Sequence, residues 1–487
     1  MAYRDLHDFM ETLERIGELR RVTVEVDPFL EIAAITDRVC KLPGGGAALL
    51  FERVKGSEFP VATNLFGSFY RMALALGIAD LNEPGRRLAA LLADMPGAGL
   101  PTKLEGLTRS GEFRRWLPLH VPHGACHEVL EPIPDLTLYP ILQSWPGDGH
   151  PDPTGRFMTL PLVISRDPES GAANCGMYRV RVFDKTTVGI HFGKDSGGGG
   201  HYRKYLERGE RMPVAIAVGG DPAVIYAASV PLPHPLEEMQ FAGFLRGEPV
   251  ELTPCRTVPL MVPANAEIVL EGYLEPGERQ REGAFGNHTG FYVNAGEVPV
   301  ARLTCITRRR DVVYPATVVG SPPMEDCYMA KATERLLLQF IREEIPEVAD
   351  ISMPLYGIFH GCAVVSIEKS RPGQAREVME KLWEGGWLGA ARLLLLVDAD
   401  LPLHDIDRVA WRVLNSSDWR YDLFTAATQA GERDSALRRS PFGGRIGIDA
   451  TRKLQSEGMA DGWPEEISME RTVEMRVTQR WREYGLG

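Results

Sequence analysis

The N-terminal part of the chain alternates between helical and strand-like patterns. Apolar residues recur at three- and four-residue spacing over residues 5–18, which predicts an amphipathic helix that ends at Gly17. A second helix is expected after Pro28, and the apolar run at residues 48–51 is typical of a short strand. We therefore expect residues 1–115 to form a small α/β domain.

Between residues 116 and 325 the pattern changes to short β-branched runs that glycine and proline interrupt. Many short strands separated by turn residues predict a β-barrel or a sandwich. The predicted strands are residues 159–165, 178–183, 214–218, 223–228, 267–272 and 298–307.

The pattern becomes helical again over residues 327–344, and residues 363–368 and 393–397 are typical of buried strands that flank a helix at 371–384. This alternation predicts a second α/β domain over residues 326–464. Residues 465–487 are expected to form a helical arm, which docks either on another subunit or on its own domain.

Composition narrows the class of protein. A chain of 487 residues is long enough for two or three domains, and a net charge of -12 disfavours nucleic acid and anionic membranes as partners. The seven cysteines show no CxxC spacing, which favours a reducing cytoplasm without disulfides. The sequence shows neither a signal-peptide core nor an apolar run long enough for a transmembrane segment. We expect a cytoplasmic protein that binds small molecules or other subunits.

The strongest chemical signal is the segment Glu-Gly-Ala-Phe-Gly-Asn-His-Thr-Gly-Phe-Tyr at residues 282–292. It places Glu282, Asn287 and His288 among glycines, which let the backbone turn sharply or approach a ligand closely. A carboxylate, an amide and an imidazole in one loop indicate an active site. The alternative interpretation is a glycine-rich hairpin whose polar side chains are solvated.

Three other segments carry polar groups suited to a charged cofactor. Asn174 and Arg179 lie at the start of a predicted strand, where a bend at Gly176 is needed for both to reach one ligand. Residues 187–196 are followed by four glycines, either a flexible loop or a phosphate cradle, although they match neither the P-loop nor the dinucleotide-binding pattern. Residues 228–238 end in two carboxylates, which are metal ligands or merely the start of a helix.

Together these segments resemble the UbiD family of prenylated-flavin-dependent decarboxylases, in the same order and over nearly the whole chain. The similarity extends to further stretches at residues 25–28, 238–247, 314–323 and 447–453. Residues 321–326 and 331–335 look most like the menaquinone-pathway decarboxylases and their ubiquinone-pathway relatives. Related members act on other aromatic acids.

The resemblance implies an α/β (α+β) fold in three domains. A central split β-barrel would bind prenylated FMN through a divalent metal, Mn²⁺ or Mg²⁺, with K⁺ nearby. A C-terminal α/β domain would close over the site and form homodimers or homohexamers. A flavin prenyltransferase would supply the cofactor.

The resemblance also assigns residues to the cofactor. Asn174 and Glu238 look like metal ligands, and Asp195 falls where the family has a metal-binding histidine. His191 and His201 are close enough in sequence to take the place of that histidine. The K⁺ would be faced by backbone near Ala228, Ser229 and Val230. The residues expected around the flavin are Met177, Tyr178, Arg179, Lys194, Ser229, Pro231 and Arg445, the last at the place of a family lysine.

The implied reaction is the non-oxidative, reversible decarboxylation of an aromatic or α,β-unsaturated carboxylic acid, through a covalent adduct with prenylated FMN and with release of CO₂. Arg179 would hold the substrate carboxylate and lower the pKa of Glu282, which would orient Arg179. Asn287 stands where the family has a proton-donating acid, and an amide cannot deliver that proton. Our hypothesis is that the proton comes from Glu282, from His288 or through a bound water.

Two alternatives follow from these departures. In the first alternative, the protein is a carboxylase or one subunit of a carboxylating complex, and an acid at position 287 is dispensable. In the second alternative, it is a flavin-binding or assembly subunit that has lost catalysis.

Overall fold

The computed structural model describes residues 2–193, 196–294, 296–358, 361–429, 442–459 and 461–486, and it contains both helices and strands in each of the three predicted regions. The helices are α1 (Leu6–Arg15), α2 (Glu31–Cys40), α3 (Phe69–Ala75), α4 (Glu83–Ala93), α5 (Leu100–Arg109), α6 (Gly111–Arg114), α7 (Gly197–Arg208), α8 (Pro222–Ala227), α9 (Glu238–Arg246), α10 (Glu325–Glu344), α11 (Gln374–Glu384), α12 (Ile406–Ser416) and α13 (Arg471–Gln479). The strands are β1 (Leu19–Val26), β2 (Ala48–Val54), β3 (Val61–Thr63), β4 (Leu119–His120), β5 (Val129–Glu131), β6 (Phe157–Met158), β7 (Pro161–Arg166), β8 (Ala173–Gly176), β9 (Val180–Val182), β10 (Thr187–Ile190), β11 (Met212–Val218), β12 (Glu251–Pro254), β13 (Met261–Pro263), β14 (Ile268–Arg281), β15 (Ala284–Gly286), β16 (Tyr292–Asn294), β17 (Glu297–Arg308), β18 (Tyr314–Ala316), β19 (Val348–Ser352), β20 (Cys362–Ile367), β21 (Leu393–Asp398), β22 (Leu423–Gln429) and β23 (Phe442–Asp449).

A curled half-barrel sheet forms the centre of the molecule. In the part of the chain that the structure describes, it has nine strands in the order β6-β9-β10-β17-β14-β11-β7-β8, with β5 paired to β17. Strand β11 shows why this region has little polar alternation, because every residue of it is buried. Val214 and Ile216 face a core shared with β1 to β3, whereas Ala215 and Ala217 face α8 and α9. The predicted α/β fold with a central barrel-like sheet is confirmed.

A smaller sheet joins the N-terminal region to the central one. Its order is β1-β2-β3-β18, and β18 pairs with β3 in parallel, Tyr314 beside Val61. Helix α1 is the amphipathic helix predicted from the sequence, and it buries Leu6, Phe9 and Leu13.

The C-terminal region is a sheet covered by helices on both faces. Its strand order is β19-β20-β21-β23-β22. Helix α11 packs with Ala363, Val365 and Leu394 on one face, and α12 packs with Val364 and Val397 on the other. The 20-residue helix α10 connects this region to the central sheet and contacts α4 of the N-terminal region.

One predicted strand was wrong, and one of two alternatives for the glycine run is excluded. Residues 223–228, predicted as a strand, lie almost wholly in α8, whose start is set by Pro222 and by an Asp221 side chain that accepts a hydrogen bond from Ala223 N at 2.7 Å. Residues 197–200 open α7 and are therefore not a flexible loop. The side chain of Ser196 caps that helix by accepting a hydrogen bond from Gly199 N.

The C-terminal arm leaves its apolar side chains exposed. It contains α13 and a short 3-10 turn at Trp481–Tyr484, which is less helix than the sequence predicted. Met469, Met475 and Trp481 are exposed, so the arm is not docked through them on its own domain. Within the described ranges, every helix is too short or too polar to cross a membrane.

Candidate active site

Three strand ends of the central sheet bring charged residues together. Arg179 directly precedes β9, His191 directly follows β10, and Glu282 directly follows β14. Strand β9 runs antiparallel to β10, and both β10 and β14 run antiparallel to β17. These three ends therefore lie at the same edge of the sheet, although more than a hundred residues separate Arg179 from Glu282.

Arg179 and Glu282 form a buried, two-pronged ion pair. Arg179 Nε donates to Glu282 Oε1 and Arg179 Nη2 donates to Glu282 Oε2, both at 2.7 Å. His191 Nδ1 lies 3.0 Å from Arg179 Nη2 and 3.3 Å from Glu282 Oε2. The Glu282 side chain is 0% exposed and that of Arg179 is 13% exposed. Parallel hydrogen bonds between a guanidinium and a carboxylate are among the strongest in proteins.

The pKa of Glu282 follows from this pairing. Burial by itself raises the pKa of the carboxyl, but hydrogen bonds from Arg179 and His191 and their charges outweigh it and lower the pKa to about 2. The expectation that Arg179 lowers the pKa of Glu282 agrees with this direction. Glu282 is thus ionised at neutral pH while it is paired, which weighs against it as a proton donor in this arrangement.

A second arginine fixes the backbone at Glu282. Arg181 Nη1 donates to the carbonyl oxygen of Glu282 and Arg181 Nη2 donates to that of Thr154, both at 2.7 Å. Its side chain is 3% exposed. The sequence analysis missed Arg181, although the two-residue spacing from Arg179 places both side chains on one face of an extended segment.

The glycines of the motif loop are required by close packing. Gly283 has φ +79°, and a Cβ there would lie 2.4 Å from the carbonyl oxygen of Gly149. A Cβ on Gly286 would lie 2.2 Å from Trp145 Cδ1. The motif therefore is a hairpin, β15 and β16, pressed against the segment that contains Trp145 and Gly149. The solvated-hairpin interpretation does not account for these contacts.

The side chain of Asp148 holds this hairpin in place through hydrogen bonds from backbone N–H groups. Its carboxylate accepts hydrogen bonds from Gly286 N at 2.7 Å, Trp145 N at 2.8 Å and Ser144 N at 3.1 Å. Burial raises the pKa of Asp148 to about 6, although these backbone donors lower it. No sequence motif marked this residue, because its partners are backbone groups.

Asn287 and His288 follow at the tip of the hairpin. Asn287 is buried, and its Oδ1 accepts a hydrogen bond from His288 N at 2.7 Å. His288 Nδ1 lies 3.7 Å from Oδ2 of Asp326, in the first turn of α10. The amide of Asn287 thus positions the backbone of its neighbour.

Several of the residues expected around the cofactor lie near the end of β8. Gly176 ends this strand, so the expected break between Asn174 and Arg179 is present. Asn174 Nδ2 donates to Tyr178 Oη at 3.3 Å, and Gly198 N at the start of α7 donates to the same hydroxyl at 3.2 Å. These contacts place the 174–179 segment against the N-terminus of α7.

The second expected metal ligand lies beside this segment. Glu238, the first residue of α9, accepts a hydrogen bond from Cys175 N at 3.1 Å. Met177 N donates to the carbonyl oxygen of Ala228 at 2.8 Å. Segment 174–179, the turn after α8 and the start of α9 therefore form one neighbourhood.

The donor set here fits a hard cation. A Cβ on Gly197 would lie 2.1 Å from Asn174 Oδ1, so the amide oxygen faces bare backbone. Burial raises the pKa of Glu238, only partly offset by the Cys175 N–H, and a bound cation would relieve this. Lys194 and Asp195 lie outside the described residues.

The two histidine alternatives for the third ligand each have another partner in this structure. His191 contacts the Arg179–Glu282 pair, and His201 Nδ1 lies 2.9 Å from Ser165 Oγ. Within the described ranges, no group of three His, Cys, Asp or Glu side chains is arranged to hold a metal. The oxygen donors that the structure describes are thus the pair Asn174 and Glu238.

The remaining predicted residues lie in two places. The carbonyls of Ala228 and Val230 accept hydrogen bonds from Met177 N and Leu232 N, each keeping a second lone pair, and Ser229 Oγ donates to Tyr226 O at 2.7 Å. Pro231 is exposed beside them. Arg445 lies on β23 in the C-terminal region, with its guanidinium carbon 5.8 Å from the Trp383 ring centroid.

Comparison with known proteins covers almost the whole chain. Residues 10–92, 119–322 and 327–450 match the N-terminal, Rift-related and C-terminal domains of 3-octaprenyl-4-hydroxybenzoate carboxy-lyase, the UbiD profiles. An uncharacterized protein of Archaeoglobus fulgidus is 43% identical over 485 residues, 99% of each chain. A second, from Aquifex aeolicus, is 41% identical over 486 residues, also 99% of each.

Solved structures show the same architecture. The UbiD-class enzyme HmfF from Pelotomaculum thermopropionicum, in complex with FMN, is 29% identical with a TM-score of 0.80, covering 98% of this chain and 99% of that one. The vanillic acid decarboxylase of Sedimentibacter hydroxybenzoicus in closed form shares the fold, with a TM-score of 0.86 at 24% identity over the full length of both chains. With its N-terminal, central and C-terminal domains all matched, this chain belongs to the UbiD family of carboxy-lyases.

Proposed function

We propose that this protein catalyses the non-oxidative, reversible decarboxylation of an aromatic or α,β-unsaturated carboxylic acid, with prenylated FMN as its cofactor. The observation that carries the proposal is the buried Arg179–Glu282 pair at the sheet edge, where His191 joins it. The FMN complex of HmfF supports a flavin in this family.

Arg179 is suited to bind the substrate carboxylate, because its planar fork matches two carboxylate oxygens. The substrate then competes with Glu282 for the same donors, and the pKa of Glu282 rises as Arg179 turns away. When bound, the prenylated flavin supplies an acceptor for the electron pair that departing CO₂ leaves behind. The proton that replaces CO₂ comes from Glu282, from His288 or through a bound water, since Asn287 has none to give.

The cofactor would be held from two sides. Asn174 and Glu238, with Asp195, would bind Mn²⁺ or Mg²⁺, and the carbonyls of Ala228 and Val230 would face K⁺. Tyr178 and Met177 would line the flavin. The other residues proposed to contact the cofactor are Lys194, Ser229, Pro231 and Arg445.

The first experiment measures activity directly. The full-length protein is coexpressed with a flavin prenyltransferase, and CO₂ release from a panel of aromatic acids is followed together with exchange of labelled bicarbonate into each acid. Arg179→Ala is expected to lower kcat/KM by at least about 100-fold, since it removes the carboxylate-binding group. Arg302→Ala is the matched control, because Arg302 pairs with Glu278 on the exposed surface of the same sheet.

The outcomes separate the candidate functions. Net incorporation of bicarbonate, without release of CO₂ from any acid, would favour a carboxylase or a carboxylase-complex subunit. Bound cofactor with neither release nor exchange would favour an assembly subunit. Either result overturns the proposed decarboxylation.

The metal site has a separate test. Glu238→Gln is expected to weaken Mn²⁺ binding by about 10- to 100-fold, because it removes the charged oxygen donor. Glu237→Gln is its control, since Glu237 is the exposed neighbour. Metal content after dialysis and the flavin absorbance of the purified protein are the readouts, and equal retention in both variants would contradict the assignment.

We also propose that the protein works as a homodimer or homohexamer. The exposed apolar side chains of the C-terminal arm support this, because a cluster of large apolar side chains in one exposed segment is typical of a surface that a partner covers.

A further inference from the structure

The hairpin tip and the start of α10 bring an imidazole and a carboxylate together. His288 Nδ1 lies 3.7 Å from Asp326 Oδ2, and the two side chains are 21% and 15% exposed. Gly290, with φ +80°, packs against Ser321, because a Cβ on Gly290 would lie 3.3 Å from the Cα of Ser321. The tip of the hairpin is thus seated on the segment that leads into α10.

The carboxylate of Asp326 lies in an unusual setting. Both its oxygens are excluded from solvent, and neither has a hydrogen-bond partner of ordinary geometry among the described residues. Asp221, another buried carboxylate, differs in being paired with Arg246 at 2.8 Å. A buried carboxylate without a cationic partner is costly when charged, so it favours either its own proton or a protonated neighbour.

On balance, the surroundings of Asp326 favour its protonated form. Burial first, and then the charge of Glu325, raise the pKa of Asp326 to about 7, while the backbone N–H of Cys327 lowers it. Glu325 is itself buried, and accepts a hydrogen bond from Phe66 N at 2.7 Å. Asp326 also acts electrostatically on the thiol of Cys40 on α2, whose pKa burial raises far above its usual range.

Two other polar residues of the motif, Asn287 and Glu282, do not fill this role. Asn287 has no acidic proton, and its Oδ1 is engaged by His288 N. Glu282 is ionised in its pair with Arg179. His288 follows Asn287 directly and belongs to the same hairpin.

We propose that His288 and Asp326 share one proton and that His288 delivers it to the substrate carbon, with Asp326 as a positioning residue that keeps the imidazole protonated. This inference rests on the proposed decarboxylation. The bond from carbon to carboxylate breaks, CO₂ leaves, and the carbon's electron pair takes the proton from His288 Nε2. His288 becomes neutral and regains a proton from solvent with Asp326 as its counter-ion.

The pair has a test that needs no cofactor. The histidine rings of the full-length, cofactor-free protein are isotopically labelled, and the His288 signal is identified with His288→Gln and titrated by NMR. Asp326→Asn is expected to lower the pKa of His288 by at least about one unit, because the imidazolium loses its counter-ion. An unchanged His288 titration in Asp326→Asn overturns the pair.

The catalytic role is tested with the loaded enzyme. His288→Gln is expected to lower kcat about 100-fold or more, in the range for a lost general acid. In Asp326→Asn the alkaline limb of the kcat profile should move to lower pH, since activity needs the protonated pair. Asp326→Glu should restore part of the wild-type profile, which a merely structural role of Asp326 would not predict.

Control variants and the wild-type activity distinguish a failure of this inference from a failure of the proposed function. His123→Gln and Asp400→Asn change exposed residues of the same types and are expected to leave kcat unchanged. If the wild type releases CO₂ and Asp326→Asn keeps the wild-type pH profile of kcat, this inference is overturned and the proposed function stands. A wild type that acts on no acid overturns both the function and the proton delivery, while the NMR titration still decides whether the pair exists.

Discussion

Glu282 holds its negative charge on a fully buried side chain, and Arg179 compensates that charge. The bidentate geometry and the third contact from His191 explain how a fully buried carboxylate remains ionised. Removal of one partner from such a buried pair leaves the other charge without compensation. Glu282 therefore contributes to the stability of the fold as well as to the proposed function of the site.

Glu282→Gln is expected to lower the free energy of unfolding of the cofactor-free protein by about 3 kcal/mol, because it leaves the Arg179 guanidinium buried without a counter-charge. Glu278→Gln is the control and is expected to cost less than about 1 kcal/mol, since its pair with Arg302 is exposed. Urea unfolding followed by circular dichroism measures both. Equal losses would contradict the energetic role of burial.

Asp148 gives a pH-dependent contribution. Its pKa is raised to about 6, so the folded state binds this proton more tightly than the unfolded chain does. That contribution to stability is complete below the ordinary carboxyl pKa of about 4 and is lost as pH rises through about 6. A shift of about two units corresponds to about 3 kcal/mol.

Asp148→Asn removes that titration and also disturbs the three backbone hydrogen bonds that hold the hairpin. The variant should therefore be less stable than wild type at pH 4.5, and the deficit should shrink as pH rises to 7. Urea unfolding at several pH values measures the difference. A deficit that grows with pH would mean that the carboxyl is not protonated in the folded state.

At the scale of elements, the hairpin of β15 and β16 is fixed by contacts between backbones. Gly283 combines a positive φ with a backbone neighbour at 2.4 Å from its missing Cβ, whereas Gly277 in β14 has φ +73° and open space around it. The two positions thus separate conformational strain from steric exclusion.

Gly277→Ala is expected to cost about 1 kcal/mol, the price of a left-handed backbone for alanine. Gly283→Ala is expected to cost about 1 to 3 kcal/mol more, because the Gly149 carbonyl must move. The same urea titration measures both variants. If the two losses are equal, the hairpin is not held against residue 149.

The elements that the sequence predicted are those whose periodicity was complete. Helix α1 was predicted from its apolar stripe, and the buried strand β11 from its β-branched run. Helix α8 was missed because a six-residue apolar run has no distinguishing period, and only Asp221 and Pro222 marked a helix start. The start of α7 was also missed, because the four glycines after the Ser196 cap are not typical of a helix.

The candidate site was predictable where the family resemblance assigned the residues. Glu282 and Arg179 were predicted together from the resemblance, and the structure brings them into contact. The contacts of His191 and Asp326 were not, because they depend on which strand ends meet and on how the hairpin sits on α10. Such contacts are set by sheet pairing over long sequence separations, which no local pattern records.

At the scale of the whole molecule, the C-terminal arm is the clearest candidate for contact between subunits. Met475→Asp with Val477→Asp places charges at two exposed apolar positions of α13 and is expected to yield a smaller assembly, since a buried charge disfavours association. Arg476→Ala on the same helix is the control. Light scattering after size exclusion measures the mass, and identical masses for wild type and the double variant would exclude the arm as an interface.

The small sheet that contains β18 has a practical consequence for anyone who divides this protein. Residues 314–316 follow nearly the whole central region in the chain, yet they complete a sheet begun before residue 64. A fragment that stops near residue 115 would expose the edge of β3, and a fragment of the central region alone would carry β18 without a neighbour. Open strand edges recruit other chains, so both fragments should precipitate when produced separately and stay in solution when coexpressed.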